Sequence, residues 1–178
     1  VLTALGKKVG IIDLTAGERG TRGSASIRRE EATRAAKILG VAIRENLGMP
    51  DTQLCNTHEL QKVIVKIVRK YRPRVVILPP NDLRHPDHIN GETLVWDGCY
   101  LAGLKNYECD LEPYRPFKVL RVHSIKHVEK PTFVVDITST FKTKIRAIKA
   151  FSSQFPLNSK AMVGNFPLSK IYERVEAR

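Results

Sequence analysis

The sequence predicts an α/β fold in which helices pack on a mostly parallel sheet within a single domain. Short runs rich in β-branched residues alternate with longer segments of helical apolar period, an order typical of right-handed crossovers between parallel strands. A length of 178 residues is enough for one domain with a sizeable core. Hydrophobic residues make up 42% of the chain and charged residues 27%, as is usual in globular proteins. Residues 1–178 are therefore predicted to form one domain.

The elements of the first half are bounded by recognisable signals. Ser24 or Ser26, and later Thr57, are expected to cap helices, whereas Gly40 and Pro73 are expected to end them. The predicted elements are, in order, a helix end at 1–5 closed by Gly6, a strand at 9–14, a helix at 24–39, a weaker strand at 41–47, a helix at 57–71 and a buried strand at 74–79.

The second half continues the alternation less regularly. It predicts a helix at 89–104, strands at 117–123 and 132–137, a basic helix through Phe151 that Ser139 or Thr140 caps, a loop at 158–166 and a last helix from 168 to 178. A chain that starts on a helix end and stops within a helix is expected to be truncated at both ends.

The charge and the cysteines restrict the class of protein. The net charge is +12, but the 30 Lys and Arg residues are spread along the chain without a run of five like charges. Aromatic RNA-binding motifs, zinc-finger spacings and Gly-Lys-Ser/Thr loops are absent, so we expect no nucleic acid partner and assign the charge to solubility and to attraction of an anionic substrate. Three Cys without a CxxC pair argue against a disulfide framework and favour a reducing cytoplasm.

The sequence predicts no association with a membrane. No apolar stretch is long enough to span a bilayer. Lys7 and Lys8 interrupt the only early apolar run, so no signal peptide is visible.

The most informative stretch is residues 84–88, Arg-His-Pro-Asp-His, between the buried strand at 74–79 and the next helix. It holds two of the five His residues and one Asp within four positions. In open α/β sheets, ligands bind beyond the carboxyl ends of the strands. A carboxylate beside a His commonly fixes its tautomer in metal and catalytic sites. The alternative is a polar loop in which Asp87 or Asn81 caps the helix.

Two further segments follow predicted strand ends. Residues 15–23 contain three Gly and no helical pattern, which fits either a loop lining the same crevice or a flexible connector. Residues 48–51, Gly-Met-Pro-Asp, predict a turn that leaves Asp51 at a strand end.

These motifs together resemble the LmbE/PIG-L family of zinc-dependent N-acetylglucosamine deacetylases, above all the bacterial branch that deacetylates N-acetylglucosaminyl malate in bacillithiol synthesis. The resemblance extends over nearly the whole chain. The motifs are Leu14-Thr15-Ala16-Gly17-Glu18-Arg19-Gly20, Ile27-Arg28-Arg29-Glu30-Glu31-Ala32, Gly48-Met49-Pro50-Asp51, Arg84-His85-Pro86-Asp87-His88 and Pro131-Thr132-Phe133-Val134-Val135-Asp136-Ile137.

The resemblance implies a Rossmann-like three-layer α/β sandwich and one zinc ion held by two His and one Asp. It implies that His88 is a zinc ligand, that a protonated His85 stabilises the oxyanion and that Asp87 orients its neighbours. Arg115, in Glu112-Pro113-Tyr114-Arg115, matches a family Arg that modulates the catalytic Asp.

The resemblance also assigns substrate-binding positions. Arg28 and Asp51 match residues that hold sugar hydroxyls, and Glu18 and Arg19 are further candidates in the glycine-containing loop.

One family motif is missing. The other two zinc ligands and the general base of the family lie in an Ala-His-Pro-Asp-Asp motif, which this sequence does not contain and which would precede Val1. We expect His58, His123 and His127 to be surface or strand-end residues rather than replacement ligands.

Three functions compete at this point. The first is zinc-dependent hydrolysis of the N-acetyl group of a GlcNAc-type sugar conjugate by a cytoplasmic homo-oligomer. The second is a non-catalytic sugar-binding or structural member of the same fold without a complete metal site. The third, a nucleotide or nucleic-acid binder, is disfavoured because no GxGxxG follows a strand.

Overall fold

The structure is a computed structural model that describes residues 1–79, 85–122 and 131–155, together with the backbone of 162–163 and 166–167. Strands and helices alternate along most of this length. The elements are β1 (Gly10–Thr15), α1 (Ala25–Leu39), β2 (Ile43–Met49), α2 (His58–Tyr71), β3 (Val75–Leu78), α3 (Pro86–Leu101), β4 (Lys118–Arg121), a 3-10 turn (Thr138–Thr140), α4 (Phe141–Lys149), β5 (Met162–Val163) and β6 (Phe166–Pro167).

The capping residues explain where the first helices begin and end. Ser24 accepts a hydrogen bond from the N–H of Ile27 and Thr57 accepts one from Leu60, as predicted for N-caps. Gly40 ends α1 in the left-handed conformation at φ 66°. Helix α3 begins at Pro86, three residues earlier than predicted, because proline needs no hydrogen-bond partner at the first helical position.

Contacts divide the chain into two compact units, and the first comprises Val1–Asn46 and Val135–Arg178. Strands β1 and β2 pair in this unit. The bidentate ion pair of Arg44 with Asp13 links them, at 2.7 Å and 3.0 Å. Helix α1 packs against α4 through small buried residues, among them Ala35 and Ala147.

The second unit, Leu47–Val134, is a βαβ arrangement with an additional helix. Strand β3 pairs with β4 in parallel, from Val75 opposite Lys118 to Leu78 opposite Arg121, with α3 between them in sequence. Helices α2 and α3 pack tightly on each other. The apolar core of this unit consists of Met49, Leu54, Ile64, Val65, Val68, Leu78, Leu94, Cys99 and Ala102.

Arg69 is a buried cation in the second unit, with only 3% of its surface exposed. Its guanidinium donates to the carbonyl oxygens of Ala102, Leu104, Cys109 and Leu111. Burying an unpaired charge is costly, so these acceptors are what make the position tolerable. Arg69 in turn fixes the irregular segment that follows α3.

Three predictions in the second half need correction or lie outside the described residues. The segment 132–137 is not a strand: it is irregular, with Phe133, Val134 and Val135 exposed, and no described strand pairs with it. A strand needs such a ladder of hydrogen bonds. Within the predicted loop at 158–166, β5 starts a short antiparallel pair with β6. The predicted helix at 168–178 lies outside the described residues.

The prediction for the cysteines is confirmed. All three cysteines are free, and burial raises the pKa of the Cys99 thiol to about 11. No helix among the described residues combines the length and apolar character that crossing a bilayer requires. The assignment of residues 1–178 to one domain stays a prediction.

The close approach of α2 and α3 gives a test of the packing. A Cβ at Gly98 would overlap the Ile64 side chain and lie 2.7 Å from its Cβ. We expect Gly98→Ala to lower the free energy of unfolding by about 1–2 kcal/mol, because overpacking outweighs the better helix propensity of alanine. Urea unfolding measures this. In a double-mutant cycle with Ile64→Ala the penalty should shrink, and strictly additive effects would contradict the proposed contact.

Candidate active site

The His-Pro-Asp-His motif forms the beginning of α3. His85 is the N-cap residue, in an extended conformation with φ −145° and ψ 129°, and Pro86 takes the first helical position. The Nδ1 atom of His85 accepts a hydrogen bond from the backbone N–H of Asp87 at 3.2 Å. The alternative in which Asp87 caps the helix is therefore wrong, because the imidazole of His85 does so, and Asn81 lies outside the described residues.

This hydrogen bond defines the chemistry that His85 can perform. A ring nitrogen that accepts carries no hydrogen, so this contact assigns the proton of a neutral imidazole to Nε2. His85 can then donate from Nε2 without being protonated at both nitrogens. The role of a protonated His85, which the resemblance implies, stays a prediction.

Asp87 is buried, with 8% of its surface exposed. Its Oδ2 accepts from the backbone N–H of Thr52 at 2.7 Å, and its Oδ1 accepts from that of Leu54 at 3.2 Å. Asn90, one turn further along α3, donates to the carbonyl oxygen of Leu54 at 2.6 Å. The carboxylate also benefits from its place in the first turn of the helix, where the dipole favours a negative charge.

These contacts fasten the turn that contains Asp51 to the start of α3. Thr52 has a positive φ of 67°, which is strained for a β-branched residue and is held here by the Asp87 carboxylate. Asp51 directly precedes Thr52 in this turn and is half-buried.

His88 lies in the first turn of α3, where its N–H bonds to the carbonyl oxygen of His85 at 3.0 Å. The two imidazole rings lie 5.6 Å apart between centroids and are tilted by 39°. Both side chains are half-buried, so each is partly open to solvent or to a ligand.

Arg115 lies at the other end of α3. It stacks on the Tyr100 ring at 4.5 Å and donates to the Tyr100 carbonyl oxygen at 3.1 Å. Helix α3 has 16 residues, so its two ends are about 24 Å apart. The structure does not bring Arg115 to the His85–His88 end, because Arg69 and the hydrogen bond from Tyr114 N–H to Ala102 O hold this segment against the helix C-terminus.

The remaining predicted residues belong to the first unit. Glu18 and Arg19 are exposed in the turn after β1. Arg28 lies in the first turns of α1, half-buried, and its guanidinium contacts that same loop. That these residues share a crevice with His85 and Asp51 stays a prediction.

Comparison with known proteins identifies the family. Residues 1–99 match the PIG-L family, described as GlcNAc-PI de-N-acetylase. The chain belongs to the PIG-L family. A diacetylchitobiose deacetylase of Thermococcus kodakarensis is 34% identical over 155 residues, a match that covers 83% of this chain and 57% of that protein. The chain therefore spans less than two thirds of the length of this curated relative.

Solved structures agree with this assignment and confirm an α/β fold with parallel strands. A conserved protein of Thermus thermophilus superimposes with a TM-score of 0.86 at 32% identity, covering 97% of this chain and 74% of the other. The N,N′-diacetylchitobiose deacetylase of Pyrococcus horikoshii, solved with an inhibitor, gives 0.82 at 29% identity, covering 99% and 67%. The hydratase GalB of Pseudomonas putida, at 0.73 and 20% identity, shares the fold alone, covering 98% and 73%.

The sequence did not reveal an ion pair beside the His-Pro-Asp-His motif. Glu92 follows His88 by four residues on α3 and has only 5% of its side chain exposed, yet it pairs with Arg121 at the end of β4. The Arg121 guanidinium also stacks over the Trp96 ring at 4.6 Å. Helical spacing from His88 could have indicated Glu92, whereas Arg121 depends on the register of β4 beside β3.

The described residues do not by themselves form a zinc site. Nowhere in the described ranges do three or more His, Cys, Asp and Glu side chains come together as a metal site requires. A catalytic zinc needs three protein ligands, and Asp87 already uses both carboxylate oxygens on backbone N–H groups.

The hydrogen bonds between Asp87 and the turn that contains Asp51 can be tested by measuring the free energy of unfolding. We expect Asp87→Asn to lower the free energy of unfolding by about 1.5–3 kcal/mol, because the amide keeps one acceptor oxygen and a buried N–H loses its charged partner. The matched control is Asp97→Asn on the same helix, where the carboxylate makes an exposed hydrogen bond to Asn56. It should stay within about 0.5 kcal/mol of the wild type. Equal effects of the two changes would contradict the role of Asp87.

Proposed function

We propose that the full-length protein hydrolyses the N-acetyl group of a GlcNAc-type sugar conjugate. The observation that carries the proposal is the family match over residues 1–99, since this part of the chain contains His85, Asp87 and His88. The relatives from Thermococcus kodakarensis and Pyrococcus horikoshii are named as diacetylchitobiose deacetylases, which supports an N-acetylated sugar as substrate.

The proposed roles follow from what each side chain can donate or accept. Hydrolysis of an amide needs a donor for the oxyanion that develops on the carbonyl, and the Nε2–H of His85 is proposed as that donor. Asp87 is proposed to act by position, because its two oxygens hold the Asp51 turn. Asp51, with Arg28, Glu18 and Arg19, is proposed to bind sugar hydroxyls. A role of Arg115 toward a catalytic Asp stays a prediction.

The substrate is tested with a panel that shares the N-acetylglucosamine unit. N-acetylglucosaminyl malate is proposed as one candidate from the resemblance to the bacillithiol branch, and N,N′-diacetylchitobiose as the other from the named relatives. Acetate release by the full-length protein identifies the substrate. Sugar binding without acetate release from either compound would favour the non-catalytic alternative. A cytoplasmic location and a homo-oligomeric state stay predictions, the latter measurable by light scattering.

Zinc dependence is proposed for the full-length protein, with His88 as one ligand. Three protein ligands leave little redundancy, so His88→Ala should lower zinc content and acetate release together. His58→Ala is the matched control, since His58 is exposed on α2 and makes an edge-on ring contact with Tyr107. Metal analysis after dialysis gives the readout. Unchanged zinc content in His88→Ala would remove His88 from the ligand set.

His85 should behave differently from His88. A donor that acts on the oxyanion acts mainly in the transition state, so His85→Ala should lower kcat by about a hundredfold to a thousandfold while KM changes little. Zinc content should stay at the wild-type level. If His85 only shapes the start of α3, its loss will lower the melting temperature and leave kcat near normal. Steady-state kinetics, metal analysis and thermal unfolding on the same preparation separate the two outcomes.

A further inference from the structure

The guanidinium of Arg28 is held by a network within the first unit. Its Nε and Nη2 donate to the carbonyl oxygen of Arg22 at 3.3 Å and 3.1 Å. Nη2 also donates to Oε1 of Gln154 at 2.8 Å, a contact between residues 126 positions apart in sequence. Nη1 lies beside Gly17 and makes no hydrogen bond within the described part of the chain, so its N–H groups are the ones still able to donate to a ligand.

The guanidinium lies directly against the glycine-containing loop. A Cβ at Gly17 would overlap Nη1 of Arg28, and a Cβ at Gly20 would overlap Nη2 and lie 2.7 Å from Cζ. Both positions therefore need glycine so that Arg28 can lie where it does. The conformation of this loop and the orientation of Arg28 depend on each other.

Gln154 connects Arg28 and the glycine-containing loop to the turn after α4. Its Nε2 donates to the same Arg22 carbonyl oxygen at 2.7 Å, and its backbone N–H bonds to the Phe151 carbonyl oxygen. The turn is anchored by Glu31, which is fully buried on α1 one turn after Arg28 and accepts from the N–H of Ser153 at 2.6 Å and from its hydroxyl at 2.8 Å. Gln154 is thus placed by α1 itself.

We propose that Gln154 is a positioning residue for the substrate-binding Arg28. Gln154 accepts a hydrogen bond from Nη2 and donates one to the Arg22 carbonyl oxygen. These two bonds fix the guanidinium against the loop and leave the Nη1 hydrogens for a sugar hydroxyl. The inference rests on the proposed function for the identity of the ligand, whereas the network itself is a property of this unit.

The test compares two changes at Gln154 in the full-length protein. Gln154→Leu keeps the volume and removes the acceptor for Arg28, so KM and the Kd for N,N′-diacetylchitobiose should rise about tenfold with kcat little changed, as expected when a hydrogen bond to a charged group is misplaced. Gln154→Glu keeps the acceptor for Arg28 but loses the N–H that Gln154 donates to the Arg22 carbonyl oxygen, so it should restore part of the affinity. The control is Gln61→Ala, because the Gln61 side chain donates to exposed Asn56, and this variant should match the wild type.

Amide hydrogen exchange over residues 17–23 reports on this network independently of enzyme activity. It should accelerate about tenfold in Gln154→Leu, because the loop loses the arginine that packs on it. Unchanged exchange, or exchange that accelerates without a change in Kd, overturns the positioning role. If the wild type binds sugar but releases no acetate, only the proposed function is overturned. The effect of Gln154→Leu on Kd then still tests the positioning role of Gln154. A wild type that binds no sugar overturns both.

Discussion

The candidate site depends on one buried carboxylate, that of Asp87, which joins the start of α3 to the turn after β2. Its two oxygens take the N–H groups of Thr52 and Leu54, and its own N–H bonds to His85. One residue therefore fixes the imidazole, the helix start and the turn that carries Asp51. Desolvation of the charge is offset because every contact is a hydrogen bond to the charged form at the favourable end of a helix.

The same arrangement occurs in the first unit with different residues. Glu31 on α1 is fully buried and accepts from Ser152 and Ser153 in the turn after α4. Arg69 on α2 is its counterpart of opposite charge, since its guanidinium donates hydrogen bonds to four carbonyl oxygens of the segment after α3. In each case a charged side chain on a rigid helix orders an irregular segment through backbone groups. Segments held in this way can present side chains accurately without regular structure of their own.

Sequence reasoning succeeded where the determining forces are local. The caps at Ser24 and Thr57 and the position of the His-Pro-Asp-His motif after β3 follow from neighbours within a few residues. It failed at 132–137, where β-branched composition predicts a strand but no described strand supplies a partner. The bond of Arg28 to Gln154 was equally invisible, because it joins opposite ends of the chain. Residue type and motif spacing indicate functional candidates, but only the fold decides which partners they meet.

The distribution of contacts within the His-Pro-Asp-His motif also separates positioning from chemistry. Asp87 is buried with both oxygens engaged, so it is poorly placed to exchange a proton with water or substrate. His85 uses Nδ1 internally and keeps Nε2–H, while both His85 and His88 stay half-buried. The residue that stabilises the motif is thus the one least able to react, whereas both imidazoles keep part of their surface exposed.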